Sequence, residues 1–275
     1  GYSTSLDLIT PNNFFSQIDH STDFAAYIDY NLSKNRFVFN PGFRFQNYTS
    51  LGENRLEPRL SLKYNMSEKI RLKASGGTFS QNLISTNDDT DVVSLFTGFL
   101  SSTDNIPSTF QNSEINSLLQ TATHYVIGLE YDILNNLNIN IENYFKKFNQ
   151  LIGLNRNKIY EDIPEFSSQL DFLKKDFMIE RGDARGVDFL LKYNSKKVSI
   201  WSVYSFGLVN REDELQVYSP HYDRTHNFNF VFSYVMDRKK LWDLNIRWNY
   251  GSGFPFTQTQ AYFEELDLSN INLTE

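Results

Sequence analysis

From Arg55 to Met66 polar and apolar residues alternate without a break. Arg55, Glu57, Arg59, Ser61, Lys63 and Asn65 fall on one side. Leu56, Pro58, Leu60, Leu62, Tyr64 and Met66 fall on the other. A period of two over that length predicts a long β-strand with one wet face and one apolar face. The same pattern recurs and predicts ten strands, over residues 24–32, 36–46, 55–66, 69–79, 123–133, 137–147, 185–194, 198–209, 225–235 and 241–250. Each is ~9–12 residues, the length a tilted strand needs to cross a bilayer, against ~5–6 for a soluble strand.

The apolar faces carry Phe39 and Phe43, Leu60 and Leu62, Leu129, Phe230 and Phe232, and Leu244 and Ile246. These positions are expected to meet lipid. The opposite faces carry Arg44, Arg59, Lys63, Arg71, Lys73, Glu130, Glu142 and Arg247. Such a face wants water or a polar plug inside a wide barrel. The eight residues are therefore candidates to face a plug or a ligand in transit, set against the plainer reading of a solvated, ion-paired wall. Turning the apolar face inward would give a soluble sandwich, but strand length and aromatic weight tell against it.

The connections sort by length. Short ones at residues 33–35, 67–68, 135–136, 195–197 and 236–240 are rich in Asn, Ser and Lys, as tight turns should be. Long ones at 47–54, 80–122, 148–184, 210–224 and from 251 onward lie between them. Short turns at one end and long loops at the other fit an all-β transmembrane antiparallel barrel, with periplasmic turns and extracellular loops. Residues 1–21 read as a loop leading to a further strand, and 266–275 as an outer loop. Ten strands left open in lipid would strand two edges of unpaired N–H and C=O groups. The expectation is a single partial barrel domain over 1–275, whose plug and closing strands are not in this sequence.

Composition supports the lipid reading. The 275 residues include 24 Phe and 16 Tyr, yet hydrophobic residues are only 40%. Mean hydropathy is −0.45. Many aromatics in a chain that is hydrophilic on average suit barrel strands with aromatic girdles. There is no run of ~18 apolar residues, hence no transmembrane helix. There is also no signal-peptide pattern at the start. A net charge of −7 argues against nucleic-acid binding, and the lack of cysteine excludes disulfides and thiolate metal sites.

Several short motifs occur in order: Asn40-Pro41-Gly42-Phe43-Arg44-Phe45, Glu57-Pro58-Arg59-Leu60-Ser61-Leu62, and Ala74-Ser75-Gly76-Gly77-Thr78-Phe79. They are followed by Gly128-Leu129-Glu130-Tyr131, Asn143-Tyr144-Phe145-Lys146-Lys147 and Gly182-Asp183-Ala184-Arg185-Gly186-Val187-Asp188. Last come Tyr222-Asp223-Arg224-Thr225-His226-Asn227 and Tyr250-Gly251-Ser252-Gly253-Phe254-Pro255-Phe256-Thr257. In this order they resemble the barrel of TonB-dependent outer-membrane receptors, particularly those of the Bacteroidetes, over residues 24–257. The resemblance implies a barrel of about 22 strands with a plugged lumen. It also implies import of a large or scarce ligand (siderophore, glycan or peptide), with outer-membrane lipids and TonB, ExbB and ExbD as partners. A surface lipoprotein or another outer-membrane protein is a further candidate partner. The plug and TonB box that such receptors carry are not in this sequence. A receptor-like barrel serving as an assembly partner of an outer-membrane complex is the alternative, and a self-contained ten-stranded enzyme or adhesin a third.

No catalytic constellation is visible, and no nucleophile elbow, P-loop or dinucleotide fingerprint occurs, so no enzymatic activity or cofactor is expected. Asn87-Asp88-Asp89-Thr90-Asp91 could offer oxygens to calcium, but without the glycine and distal glutamate of an EF-hand a solvated acidic loop is favoured. His20, His124, His221 and His226 lack zinc-type spacing. Phe254, Phe256, Tyr262 and Phe263 could grip a ligand or pack as girdle residues.

Overall fold

The computed structural model describes residues 2–10, 13–85, 98–101, 103, 105–237 and 241–255. The acidic segment at 87–91, the aromatics Phe256, Tyr262 and Phe263, and the outer loop expected at 266–275 lie outside the described residues.

Ten long strands form one antiparallel sheet in which every strand pairs with its neighbours in sequence. They are β1 (Asp23–Asp29), β2 (Phe37–Tyr48), β3 (Glu53–Asn65), β4 (Ile70–Gln81) and β5 (Gln120–Leu134). They continue with β6 (Leu137–Leu154), β7 (Phe177–Asn194), β8 (Val198–Glu212), β9 (His226–Val235) and β10 (Asp243–Gly251). A short segment, Leu32–Lys34, extends β1 along β2. Among the described residues the sheet stays open, with β1 and β10 as its edges.

Register locks the two faces. Leu129 lies opposite Leu72 and Ile141, Ile141 opposite Phe189, Phe189 opposite Tyr204, and Tyr204 opposite Phe228. A one-residue slip of β4, β5, β6 or β7 in that row would put charges such as Lys73, Glu130, Glu142 or Asp188 on the apolar side. Phe39, Phe43, Leu60, Leu62, Leu129, Leu244 and Ile246 are all exposed on this face, and Phe230 and Phe232 are half-exposed beside them. An apolar face of this extent open to the surroundings is what a bilayer requires.

Three expectations need correction. Residues 1–21 do not read out as a loop: Tyr2–Thr10 and Asn13–Ser21 pair as a separate antiparallel hairpin. Their polar–apolar alternation is weak, so period two does not reveal them. The connection expected over 47–54 is a tight turn, because β2 and β3 pair all the way to Tyr48 opposite Glu53. Gly52 closes it at φ 66°, a left-handed conformation in which a side chain would be strained. Finally, β6 and β7 run past their expected outer limits, to Leu154 and from Phe177, after a register shift between Phe148 and Leu151.

That extension carries the main buried apolar cluster of the described residues. Ile152, Phe177 and Ile179 pack under Ile84, Leu100, Ile106 and Phe110 from the connection between β4 and β5. Arg181 caps it, its guanidinium carbon 4.8 Å from the Phe110 ring centroid. The membrane span thus has no interior core of its own. The apolar core sits at the loop end.

One ladder is incomplete. β3 and β4 pair only up to Arg59 opposite Gly77, although both strands continue. Above that point side chains take over. The buried Glu57 carboxylate accepts hydrogen bonds from the Ser80 backbone N–H and hydroxyl, both at 2.7 Å. Higher still, Glu53 accepts from the Ser117 hydroxyl and the Leu118 N–H, both at 2.7 Å. Pro58, which has no N–H to give, stands where the ladder stops.

Candidate functional site

The polar face carries all eight candidate residues, and the depressions of the sheet open on it. In the half nearer the short turns Arg71, Lys73 and Glu130 form one network. Arg71 reaches Glu130 at 2.9 Å and Asp132 at 2.6 Å, and Lys73 reaches Glu130 at 2.6 Å. Asn138 donates to Asp132 at 2.7 Å, and Asn140 donates to Glu142 at 2.8 Å. Register explains the grouping: Arg71 faces Glu130 directly, and Gly128 leaves a dip between Lys73 and Glu142.

The other candidates are more dispersed. Arg59 pairs with Glu57 at 3.0 Å and lies over the Phe79 ring at 4.7 Å. Arg44 stands opposite Glu57 across β2 and β3. Lys63 faces Lys73 directly, a like-charge pair, and makes no ion pair among the described residues. Arg247 lies opposite Val231, exposed on edge strand β10 and far along the sheet from the network. The polar face is not uniformly polar. Val203 lies opposite Leu190 and Asn229, and Trp201 opposite Lys192 and Val231, so the lower part of β7–β9 carries an apolar patch there.

Sequence patterning did not single out the loop-level site. Here a depression of about 430 Å³ is lined by residues that include Phe148, Leu151, Arg156, Glu180, Arg211 and Tyr218. Arg156 reaches Glu180 at 3.2 Å and the Tyr218 hydroxyl at 3.2 Å, and it also pairs with Asp213. Its guanidinium stacks on the Tyr218 ring at 4.3 Å. The Tyr218 hydroxyl donates to Glu180 at 2.8 Å. Arg211 donates to the Tyr222 hydroxyl at 2.8 Å and lies over Phe148 at 5.2 Å. Burial, reinforced by the adjacent Glu180 charge, pushes the Tyr218 phenol well above its usual range. Burial works against the Arg156 charge, but the Tyr218 hydroxyl and the two carboxylates outweigh it and raise its pKa. Both groups therefore hold their protons throughout the neutral range. Two rigid guanidinium–aromatic pairs facing one cavity can receive an aromatic or anionic ligand.

The two C-terminal motifs meet at the same end. The His226 N–H donates to the Ser252 hydroxyl at 3.1 Å, and the Ser252 N–H donates back to the His226 carbonyl at 2.9 Å. Arg224 stacks on Phe254 at 4.1 Å. The His226 ring is engaged by the Tyr204 hydroxyl at 2.8 Å. Phe254 thus serves as a packing surface for Arg224.

Below the loop-level cavity three further depressions follow on the polar face. One of about 260 Å³ includes Phe79, Gln120, His124 and Phe148. One of about 220 Å³ includes Arg59, Ser61, Ser75 and His124. One of about 400 Å³ includes Asn40, Lys63, Lys73 and Glu142.

The family model described as "TonB dependent receptor-like, beta-barrel" matches residues 1–271. No curated protein sequence matches. Among solved structures, the chain is similar to the siderophore receptor PirA from Acinetobacter baumannii, at 13% identity and a TM-score of 0.58, over 86% of this chain and 35% of that one. It is also similar to the FrpB iron transporter from Neisseria meningitidis, at 12% identity and TM-score 0.53, over 82% and 32%. A third is the alcaligin outer-membrane receptor FauA from Bordetella pertussis, at 13% identity and TM-score 0.52, over 91% and 45%. The chain therefore spans about a third to just under half of the length of these structures, and at such identity the likeness shows the fold.

Proposed function

Because this chain belongs to the TonB-dependent receptor β-barrel family, and so to the bacterial outer membrane, we propose that it is the ligand-receiving wall of an energised importer. The loop-level cavity takes the ligand, and the wall below passes it inward when TonB, ExbB and ExbD act on a plug. The observation that carries this reading is the position of that cavity. It lies between the outer extensions of β6–β8, above the apolar band, with Arg156 and Arg211 held against aromatic rings. The protein acts by binding and coupling, not by catalysis.

The ligand class we favour is a ferric siderophore. The guanidinium–aromatic pairs suit an anionic or aromatic chelator, and two of the similar structures are named as a siderophore receptor and an iron transporter. The test is accumulation of ⁵⁵Fe from citrate, hydroxamate and catecholate chelates by iron-starved cells. Cells carrying the full-length gene should accumulate iron from at least one chelate only when TonB is intact. Equal accumulation by a deletion strain from every chelate sinks the siderophore reading.

A further inference from the structure

The four depressions on the polar face are not separate. The loop-level cavity shares Gln81, Gln120, Phe148 and Leu151 with the next one down. That one shares Phe79 and His124 with the third, and the third shares Ser61, Ser75 and Val126 with the last. Each pair of neighbours has walls in common, so together they trace one line down β3–β6 from the loops to the middle of the span. Small residues hollow that line, with Ser61 directly opposite Ser75.

The lower end holds an arrangement that a merely structural wall would avoid. Lys63 and Lys73 are direct cross-strand partners, and like charges in that position cost stability. Nearby acids do not relieve both. Glu130 serves Arg71 and Lys73, and Glu142 accepts the Asn140 amide. Lys63 makes no ion pair among the described residues and lines the depression beside Lys73 and Glu142. Guanidinium groups recur higher up, each beside carboxylates: Arg59 with Glu57 at the waist, and Arg156 and Arg211 with Glu180 and Asp213 at the mouth.

We infer that these depressions form one transit groove for the ligand, and that Lys63 with Lys73 is its lower station, holding an anionic group such as a carboxylate or hydroxamate oxygen. This rests on the transport reading above and adds where, and by which charge, the ligand crosses the wall.

Thiol labelling tests it without requiring transport. Single cysteines are placed at Ser61, at Ser75 and at Asn229 on the opposite part of the wall, in an otherwise cysteine-free full-length receptor in outer membranes of intact cells. The probes are two impermeant methanethiosulfonates added from outside, one bearing a sulfonate and one a trimethylammonium. Ser61→Cys and Ser75→Cys should react about tenfold faster with the sulfonate than with the cationic probe, and faster than Asn229→Cys. Adding Lys63→Gln should abolish the preference, and Lys63→Glu should invert it. Equal rates at all three positions, no labelling in the groove, or a preference that survives Lys63→Glu would overturn the proposal. Ser61 and Ser75 lie on different strands, so if one variant fails to assemble the other still decides. Iron uptake is read separately. Loss of TonB-dependent uptake with the labelling preference intact would fault the transport reading and leave the groove standing.

Discussion

The two ends of the inner wall differ in chemistry. Along β2–β6 it carries arginine, lysine and glutamate, tied together across strands by Arg71, Lys73, Glu130 and Asp132. Along β8–β10 amides and hydroxyls predominate, with Asn227 opposite Ser205, Asn229 opposite Asn249 and Ser233 opposite Asn245, beside the apolar patch at Trp201 and Val203 and the edge charges Asp243 and Arg247. Both stretches present the same apolar surface to lipid on their other side. The lipid face therefore constrains only every second residue, and the inner wall is free to specialise. Ion-paired charge is concentrated where the depressions run, and β9 and β10 line none of the four.

The sharpest test of the shared constraint is a pair of neighbours on β9. Phe230→Arg, on the lipid face, should block assembly, at a cost of about 2–4 kcal/mol near the midplane. Asn229→Arg, one residue away but facing inward, should assemble normally. Resistance of the folded band to SDS reads both, and equal behaviour would break the facing assignment.

Next in size is the network itself. Glu130→Ala leaves Arg71 and Lys73 without their shared carboxylate and should destabilise by about 1–3 kcal/mol, as expected for partly exposed charged hydrogen bonds. Asn249→Ala, on the amide-rich stretch, should cost under about 1 kcal/mol. Urea unfolding in detergent or lipid would compare them. Matching losses would show that the charged stretch is no more tightly tied than the amide-rich one.

Gly186 separates the two regimes. Tyr144 lies across it and the facing Gly207, so a methyl at 186 would meet the Tyr144 hydroxyl at 2.6 Å as well as the Phe206 carbonyl. Gly186→Ala should destabilise by about 1–3 kcal/mol. Gly186→Ala with Tyr144→Leu should recover part of that loss, since the carbonyl contact remains.

The smallest expected effect is pH-dependent and lies in the loops. Burial favours the neutral Asp171, but hydrogen bonds from the Ser108 N–H and hydroxyl and the charge of Lys174 outweigh it and lower its pKa. A depressed carboxylate stabilises above its unfolded value of about 3.9 and loses that contribution as pH falls through the folded value. Acidification through that lowered folded value, not merely to the ordinary carboxylate range, should free Ser108 from Asp171 and raise amide exchange at Ser108 relative to its intrinsic rate. Asp171→Asn should exchange at a rate that hardly changes over the same window.

Period-two patterning made the membrane part of the fold legible. The bilayer forces alternation at positions such as Leu60, Leu62 and Leu129, whatever the opposite face does. It also placed Arg71, Lys73 and Glu130 on one face, although their joining needed the register between β4 and β5. The loop-level site was illegible for a physical reason. Above the lipid both faces of β6 and β7 are covered by protein, so Phe177, Met178 and Ile179 are all buried and alternation disappears. Arg156, Glu180 and Asp213 come from three distant segments, and nothing local in their sequence announces that they meet.

The interrupted pairing of β3 and β4 has a mechanical consequence. A continuous ladder resists shear cooperatively, since no rung can break without loading its neighbours. Above Arg59 the rungs are gone and side chains bridge instead: Glu57 grips Ser80, and higher up Glu53 holds Ser117 and Leu118. The outer rim is therefore compliant at that point along its arc, and its stiffness there is set by a few side chains of β3, Glu57 and Glu53 among them. The width of the mouth can be tuned there, by substitution on β3, without touching a residue that lines the loop-level cavity.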